Sequence, residues 1–267
     1  FSDYAAAKHR IILNQTEEDL AILNADDPVT AGWAKGLKAT VTLFSVRKEL
    51  EEGLFLRGDE LICRAAQKEK ILASRSDIKL RGLHNVENIL AAFAIGLACG
   101  ASPGLIKETV RKFKGVEHRM EFVADVNGVG FYNDSKATSV DATLKALEAL
   151  SDGDGKTVLL LGGKGMNAPY APLIPLIEST VRTLVVYGED AENIESQLKD
   201  EAEIIRSDSM SDAVRQAFSV AEPGDNVLLA PACASFDMFS SYEERGDVFK
   251  KEVGALAAAG AAGNGKN

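Results

Sequence analysis

The chain has 267 residues, 46% hydrophobic and 26% charged, which supplies apolar material for a sizeable core and length for two domains. Thirty Lys and Arg against 40 Asp and Glu leave a net charge of −10, which disfavours nonspecific binding to nucleic acid or an anionic membrane but still admits an anionic ligand in a local basic pocket. Cys63, Cys99 and Cys233 are far apart, odd in number and without a CxxC, a usage that excludes a disulfide framework or a zinc site and suits a reducing cytosol.

The chain opens on Phe1 rather than Met, inside the alanine-rich helical pattern Tyr4-Ala5-Ala6-Ala7-Lys8, and reads as a fragment without its natural N-terminus. No apolar run reaches membrane-spanning length and no signal peptide is visible. Leu20 to Asn24 is an expected buried strand, stopped by Asp26-Asp27-Pro28, and Val41 to Val46 is another. Leu54-Phe55-Leu56 and Glu60-Leu61-Ile62 flank Arg57-Gly58-Asp59 as a hairpin. Ile71 to Leu80 reads as extended, ending at Gly82. Val86 to Cys99 is a strongly apolar helix with Asn85 as candidate cap and Gly100 as stop. The next helix has Ser102 at its N-cap and Pro103 at its first position, and runs to Phe113.

The pattern changes near Gly115. Met120 to Val126 and Val129 to Tyr132, joined by Asn127-Gly128, predict a hairpin. A regular strand–helix alternation follows, with apolar strands at Val158 to Leu161, Thr183 to Tyr187 and Asn226 to Ala230. Short, fully apolar strands between helices imply a parallel sheet covered on both faces. The last stretch, Gly254 to Asn267, is rich in Ala and Gly and reads as a disordered tail.

Three strand ends carry unusual residues: Asn133-Asp134-Ser135-Lys136-Ala137-Thr138, Gly162-Gly163-Lys164-Gly165, and Pro231-Ala232-Cys233-Ala234-Ser235-Phe236-Asp237. Parallel strands share a direction, so all three loops should emerge on the sheet edge where ligands bind in open α/β folds. None is a P-loop or a GxGxxG fingerprint. Each also has a plain reading. Ser135, Thr138 or Ser139 can cap the helix over Val140 to Leu150, with Asp134 solvating the turn, and Gly162-Gly163 can be a tight turn. Asn85 and Asn88 lie one helical turn apart and can read a polar ligand or cap the helix. Arg119 can clamp a phosphate or pair with Glu117 or Glu121. Lys8 reads as a solvated helical lysine, Glu243-Glu244-Arg245 as a solvated helical face, and the cysteines as small core residues.

Taken together, Tyr4 to Lys8, Leu80 to Asn88, Glu117 to Glu121, Asn133 to Thr138, and Pro231 to Asp237 with Phe239 and Tyr242 resemble the Mur ligase family, in the family's order from residue 1 to about 253. The Asp-Ser-Lys-Ala-Thr run with Pro-Ala-Cys-Ala-Ser resembles its D-glutamate-adding branch. The resemblance implies an α/β chain. Residues 1–116 would be the C-terminal part of a central ATP-binding domain, 117–253 a Rossmann-like amino-acid-binding domain with a mainly parallel sheet, and 254–267 the tail. It implies a cytoplasmic, monomeric enzyme of peptidoglycan precursor synthesis. With ATP and Mg²⁺ it would join D-glutamate to UDP-N-acetylmuramoyl-L-alanine through an acyl phosphate.

Lys8 aligns with the lysine that the family carbamoylates, a change that turns a cation into an oxygen ligand for Mg²⁺. Asn85 and Asn88 align with adenine-side contacts, Arg119 with the arginine on ATP phosphates, and Asp134 with the acid near the ribose. Lys136 and Thr138 align with the junction of nucleotide and amino acid, with Lys136 and Lys8 as the catalytic pair. Ser235, Phe236 and Tyr242 align with the pocket for the D-glutamate side chain. The family's P-loop, its Mg²⁺-binding Glu and His and its UDP-binding domain are not in this sequence, so the chain is expected to be inactive alone. Met166 stands where the family has a substrate-binding lysine, and Lys164 is the candidate substitute. The rivals are another Mur-type or folylpolyglutamate-type ligase and a noncatalytic Rossmann-like nucleotide-binding module.

Overall fold

The computed structural model describes residues 2–80, 82–151, 153 and 155–263 and divides into two units between Lys114 and Gly115. The first contains α1 (Ser2–His9), β1 (Leu20–Asn24), α2 (Pro28–Trp33), β2 (Thr40–Ser45), β3 (Gly53–Arg57), β4 (Glu60–Ala65), β5 (Lys68–Ser74), α3 (Leu83–Ala98) and α4 (Pro103–Lys112). Its sheet runs in the order β1-β2-β3-β4-β5, parallel from β1 to β3 and antiparallel from β3 to β5. Val86, Ile89, Leu90 and Phe93 form one helical face of α3 and pack on Phe44, Leu54, Leu61 and Leu72 of the sheet. Each such buried side chain contributes about 1.5–3 kcal/mol.

Two expectations change here. Strand β5 stops at Ser74 instead of continuing to Leu80, because Ser74 caps a 3-10 turn over Arg75–Asp77. The Ser74 amide donates to Asp77 Oδ2 at 2.9 Å, and Lys107 and Arg111 of α4 hold the same carboxylate at 3.1 and 2.8 Å. Helix α3 begins earlier than Asn85: Gly82, at φ 88°, is the N-cap, and Asn85 lies within the first turn.

The second unit contains β6 (Glu121–Val126), β7 (Val129–Asn133), α5 (Val140–Leu150), β8 (Thr157–Gly162), α6 (Ile174–Thr180), β9 (Val181–Tyr187), α7 (Ala191–Leu198), β10 (Glu203–Ser207), α8 (Met210–Val220), β11 (Asn226–Leu229) and α9 (Tyr242–Gly263). The sheet order is β10-β9-β8-β11-β7-β6. All pairs are parallel except the β6–β7 edge hairpin. Alternate residues of the central strands serve two cores. Leu159, Leu161, Leu184, Val186 and Leu228 pack under α5, α6 and α7. Val158, Leu160, Val185, Val227 and Leu229 pack under α8 and α9. Burial on both faces is why these strands read as continuous apolar runs.

Strand β10, with charged residues at both ends of the run Glu203-Ile204-Ile205-Arg206, is a partly exposed edge that the sequence pattern does not declare. The expected tail is also corrected. Helix α9 continues through Gly263, since alanine is the strongest helix former; residues 264–267 lie outside the described residues. No helix among the described residues is long and apolar enough to cross a membrane.

Candidate active site

Strands β7, β11 and β8 are neighbours and parallel, so the three loops that follow them emerge side by side at the carboxyl edge of the sheet. The loops are tied together by main chain. Asp134 N donates to Leu229 O at 2.8 Å, Ala232 N to Ala137 O at 2.9 Å, and Gly162 N to Pro231 O at 3.0 Å. Lys164 and Ala234 exchange two hydrogen bonds, at 2.9 and 3.0 Å. A Cβ on Gly162 would stand 2.0 Å from Tyr187 O, and one on Gly163 2.3 Å from Ala234 O. This tight approach of strand ends is what the glycine pair serves.

In the first of these loops Asn133 is fully buried. Its Oδ1 accepts from Ser135 N at 3.1 Å, and its Nδ2 donates to Glu121 Oε2 at 3.0 Å and meets His118 Nδ1 at 3.1 Å. Asp134 is buried, and desolvation pushes its carboxyl up to about 6, against the opposing pull of the Met120 amide and the Arg119 charge. Arg119 itself is exposed. Glu117 and Glu121 give their ion pairs to Lys250, at 2.6 and 3.5 Å. The helix cap is Ser139, whose side chain accepts from Ala142 N.

Lys136 is exposed and Thr138 half-buried. Lys136 Nζ donates to the Tyr242 hydroxyl at 3.1 Å and sits 4.8 Å from the ring centroid. The structure therefore brings these two expected site residues together. Ser235 is buried beneath the rim, and Phe236 points outward, 70% exposed. In the first unit, Asn85 is buried and Asn88 exposed, with Asn88 Nδ2 3.5 Å from Asn85 Oδ1. Lys8 is exposed on α1, its Nζ 5.4 Å from the Tyr4 ring.

One reading is overturned. Arg245 does not belong to a solvated face; it is fully buried. Its Nε donates to Ser135 Oγ at 2.9 Å, its Nη1 to Cys233 O at 3.1 Å and its Nη2 to Ser135 O at 2.8 Å. The neighbouring Gly246 lets α9 close on His118, and this adjacency of Arg and Gly after two exposed glutamates was the only available signal. The sequence also gave no sign that Tyr170 OH contacts Asp190 Oδ2 at 2.5 Å and Cys233 Sγ at 3.1 Å. Burial raises the Cys233 thiol to about 11, so it is an inert core group, as expected, whereas Cys63 is half-buried and Cys99 exposed, against the reading of the cysteines as core residues. Glu117, His118 and Asp247 offer donor atoms within 4.8 Å of one another, but Lys250 already neutralises both carboxylates.

The sheet and its loop-built rim define a Rossmann-like α/β unit with a cationic, polar edge. The family described as "Mur ligase middle domain" matches residues 1–96, and that described as "Mur ligase, glutamate ligase domain" matches residues 118–233. Proteins called UDP-N-acetylmuramoylalanine–D-glutamate ligase are similar throughout. The Koribacter versatilis protein is 46% identical over 257 residues, covering 96% of this chain and 56% of its own. The Acidobacterium capsulatum protein is 45% identical over 265 residues, covering 98% and 56%. Among solved structures, a UDP-N-acetylmuramate-alanine ligase from Thermotoga maritima has a TM-score of 0.66 at 18% identity, covering 95% of this chain and 55% of that one. A pseudomurein peptide ligase type C from Methanothermus fervidus has a TM-score of 0.68 at 15% identity, covering 96% and 60%. The chain belongs to the Mur ligase family. It spans 56% of the length of the curated relatives it matches.

Proposed function

We propose that this chain is part of an ATP-dependent acid–amino-acid ligase that joins D-glutamate to UDP-N-acetylmuramoyl-L-alanine in the cytoplasm, for peptidoglycan synthesis. The observation that carries this reading is the Lys136–Tyr242 pair at the rim of the parallel sheet, beside the loop of Ser235 and Phe236. The names of the curated relatives support D-glutamate as the amino acid.

The chemistry suits such a rim. A carboxylate is a poor electrophile, and ATP activates it as an acyl phosphate. The phosphoryl group in transfer carries dispersed negative charge, so positioned cations dominate its stabilisation. Lys136 would meet that charge and the amino-acid carboxylate together, with Thr138 as a hydroxyl partner. Arg119, exposed on the rim, would take ATP phosphates, and buried Asp134 a ribose hydroxyl. Asn85 and Asn88 would face the adenine. Ser235, Phe236 and Tyr242 would bound the D-glutamate side chain, Ser235 from below and Phe236 as an outer wall.

Mg²⁺ does not fit this chain alone. Lys8 would need to become a carbamate to offer oxygen, and its partner here is the Tyr4 ring rather than a carboxylate.

The test is ADP release by the complete gene product given UDP-N-acetylmuramoyl-L-alanine, MgATP and a panel of amino acids. Release that depends on D-glutamate supports the reading; release indifferent to it ends the assignment in favour of another Mur-type or folate-type ligase. Tight binding of NAD in place of ATP would favour a dinucleotide module.

A further inference from the structure

We propose that Arg245 is a positioning residue: its buried guanidinium sets the spacing of the loop 133–138 against the loop 231–237, and so the placement of Lys136 and Ser235. The effect on turnover rests on the function proposed above; the effect on the loops does not.

The geometry is specific. Arg245 is fully buried; it donates to one hydroxyl and two carbonyls, and the buried Tyr187 hydroxyl also lies against it. Burying a guanidinium in this way is costly, and an apolar side chain of similar volume would serve a core better. What an apolar side chain cannot do is aim several donors from one rigid plane. Here the plane is shared between residue 135, immediately before Lys136, and residue 233, two before Ser235.

A second contact extends the clamp to the helix. Ser135 Oγ accepts from Arg245 and donates to Tyr242 O at 2.7 Å. Tyr242 and Arg245 stand three apart, on neighbouring positions of the first turn of α9. Tyr242 then accepts from Lys136 at 3.1 Å. Both rim loops and the lysine are therefore referred to one helical turn. The site leaves room for this: a Cβ on Gly163 would stand 3.2 Å from Arg245 Nη1. Holding reacting groups at fixed separation is the standard way a binding rim gains rate, and such groups need a supporting layer locked by hydrogen bonds.

The test compares backbone hydrogen exchange in this chain for Arg245→Met, which keeps the stem, and Arg245→Lys, which keeps the charge but not the fork. Amides of Lys136, Ala137, Ala232 and Ala234 should lose protection by about tenfold or more, the scale of one lost charge-assisted hydrogen bond. Amides at the centres of β8 and β9 should stay within about twofold if the opening is local. Loops that keep their protection, or a loss spread evenly over the sheet, would overturn the proposal. Should Arg245→Met not fold, Arg245→Lys and Ser135→Ala decide it, the latter loosening only the loop 133–138. In the complete gene product, Arg245→Lys should raise KM for D-glutamate about tenfold with KM for MgATP unchanged. A fall in kcat accompanies it where Lys136 is displaced; an unchanged kcat/KM for D-glutamate would contradict the positioning role. If even the unsubstituted protein ignores D-glutamate, the proposed function fails, and the exchange measurement still decides the clamp.

Discussion

Gly246 of α9 lies so close to His118 that a Cβ added to it would stand 2.2 Å from Nδ1 of the imidazole and 3.0 Å from Nδ2 of Asn133. The imidazole cannot easily yield. It is buried, held by Asn133 at 3.1 Å, and carried on a backbone at φ 61° whose amide donates to Glu121. Gly246→Ala should therefore destabilise the second unit despite the better helix propensity of alanine. Overpacking costs about 1–3 kcal/mol, and the helix returns up to about 1 kcal/mol. A net loss lowers Tm by roughly 2–4 °C per kcal/mol in a domain of this size. Calorimetry on the two proteins checks it, and an unchanged midpoint would mean that His118 swings clear without cost.

Asp134 makes stability depend on pH in an unusual direction. Its carboxyl titrates at about 6 in the folded chain against an ordinary 3.8, because burial disfavours the charge. The folded state thus holds a proton that the unfolded chain has already released. The stabilisation is complete below about pH 4 and is lost as pH rises through about 6. The gap of roughly two pH units is worth on the order of 3 kcal/mol. Asp134→Asn should match the unsubstituted protein at pH 4 and exceed it at pH 8 by up to that amount. Denaturant unfolding at a series of pH values measures the difference, in which other carboxylates cancel. A gain that is equal at both pH values would exclude the titration as its source.

What the sequence made legible follows from how each signal arises. The parallel sheet was visible because Val158 to Leu161 and Asn226 to Leu229 are buried on both faces, leaving no alternation to misread. The hairpin at Asn127-Gly128 was visible because both residues sit at positive φ, 55° and 84°, a turn few other pairs adopt. Strand β10 was hidden because its burial is partial and its ends are charged. The rim loops were recognised by composition, yet the residue that joins them was not. Arg245 is surrounded in sequence by Glu243, Glu244 and Asp247, so it looks like one member of a solvated set. Only the fold reveals that the helix turns this one charge inward, over a span of 110 residues to Ser135.

Met166 is 62% exposed at the position where the resemblance leads one to expect a substrate-binding lysine. Lys164 is also exposed, and its backbone is fixed by the paired bonds to Ala234. If Lys164 supplies the missing cation to the D-glutamate carboxylate, Lys164→Ala should raise KM for D-glutamate by about tenfold, the value of one charge-assisted hydrogen bond. Met166→Lys should then restore most of that loss in the double variant. Steady-state kinetics with D-glutamate varied at saturating MgATP reads both effects. A normal KM in Lys164→Ala would show that Lys164 lies outside the pocket.

Lys136 carries the heaviest expectation. Its ammonium is exposed, bonded to the Tyr242 hydroxyl and resting against the ring, a surface contact worth about 0.5–1 kcal/mol. So little folding energy depends on it that Lys136→Met should leave Tm nearly unchanged. Catalysis should respond very differently, since removing one positioned charge contact from a transition state lowers kcat by about 10²–10³-fold. Tyr242→Phe separates the two roles of the tyrosine. It keeps the ring and the main-chain carbonyl that Ser135 uses, and removes only the hydroxyl, so kcat should fall far less than in Lys136→Met. Single-turnover measurements of ADP formation, with thermal melts of each variant, would compare these directly. A Lys136→Met protein that melts normally and turns over normally would remove this lysine from the reaction altogether.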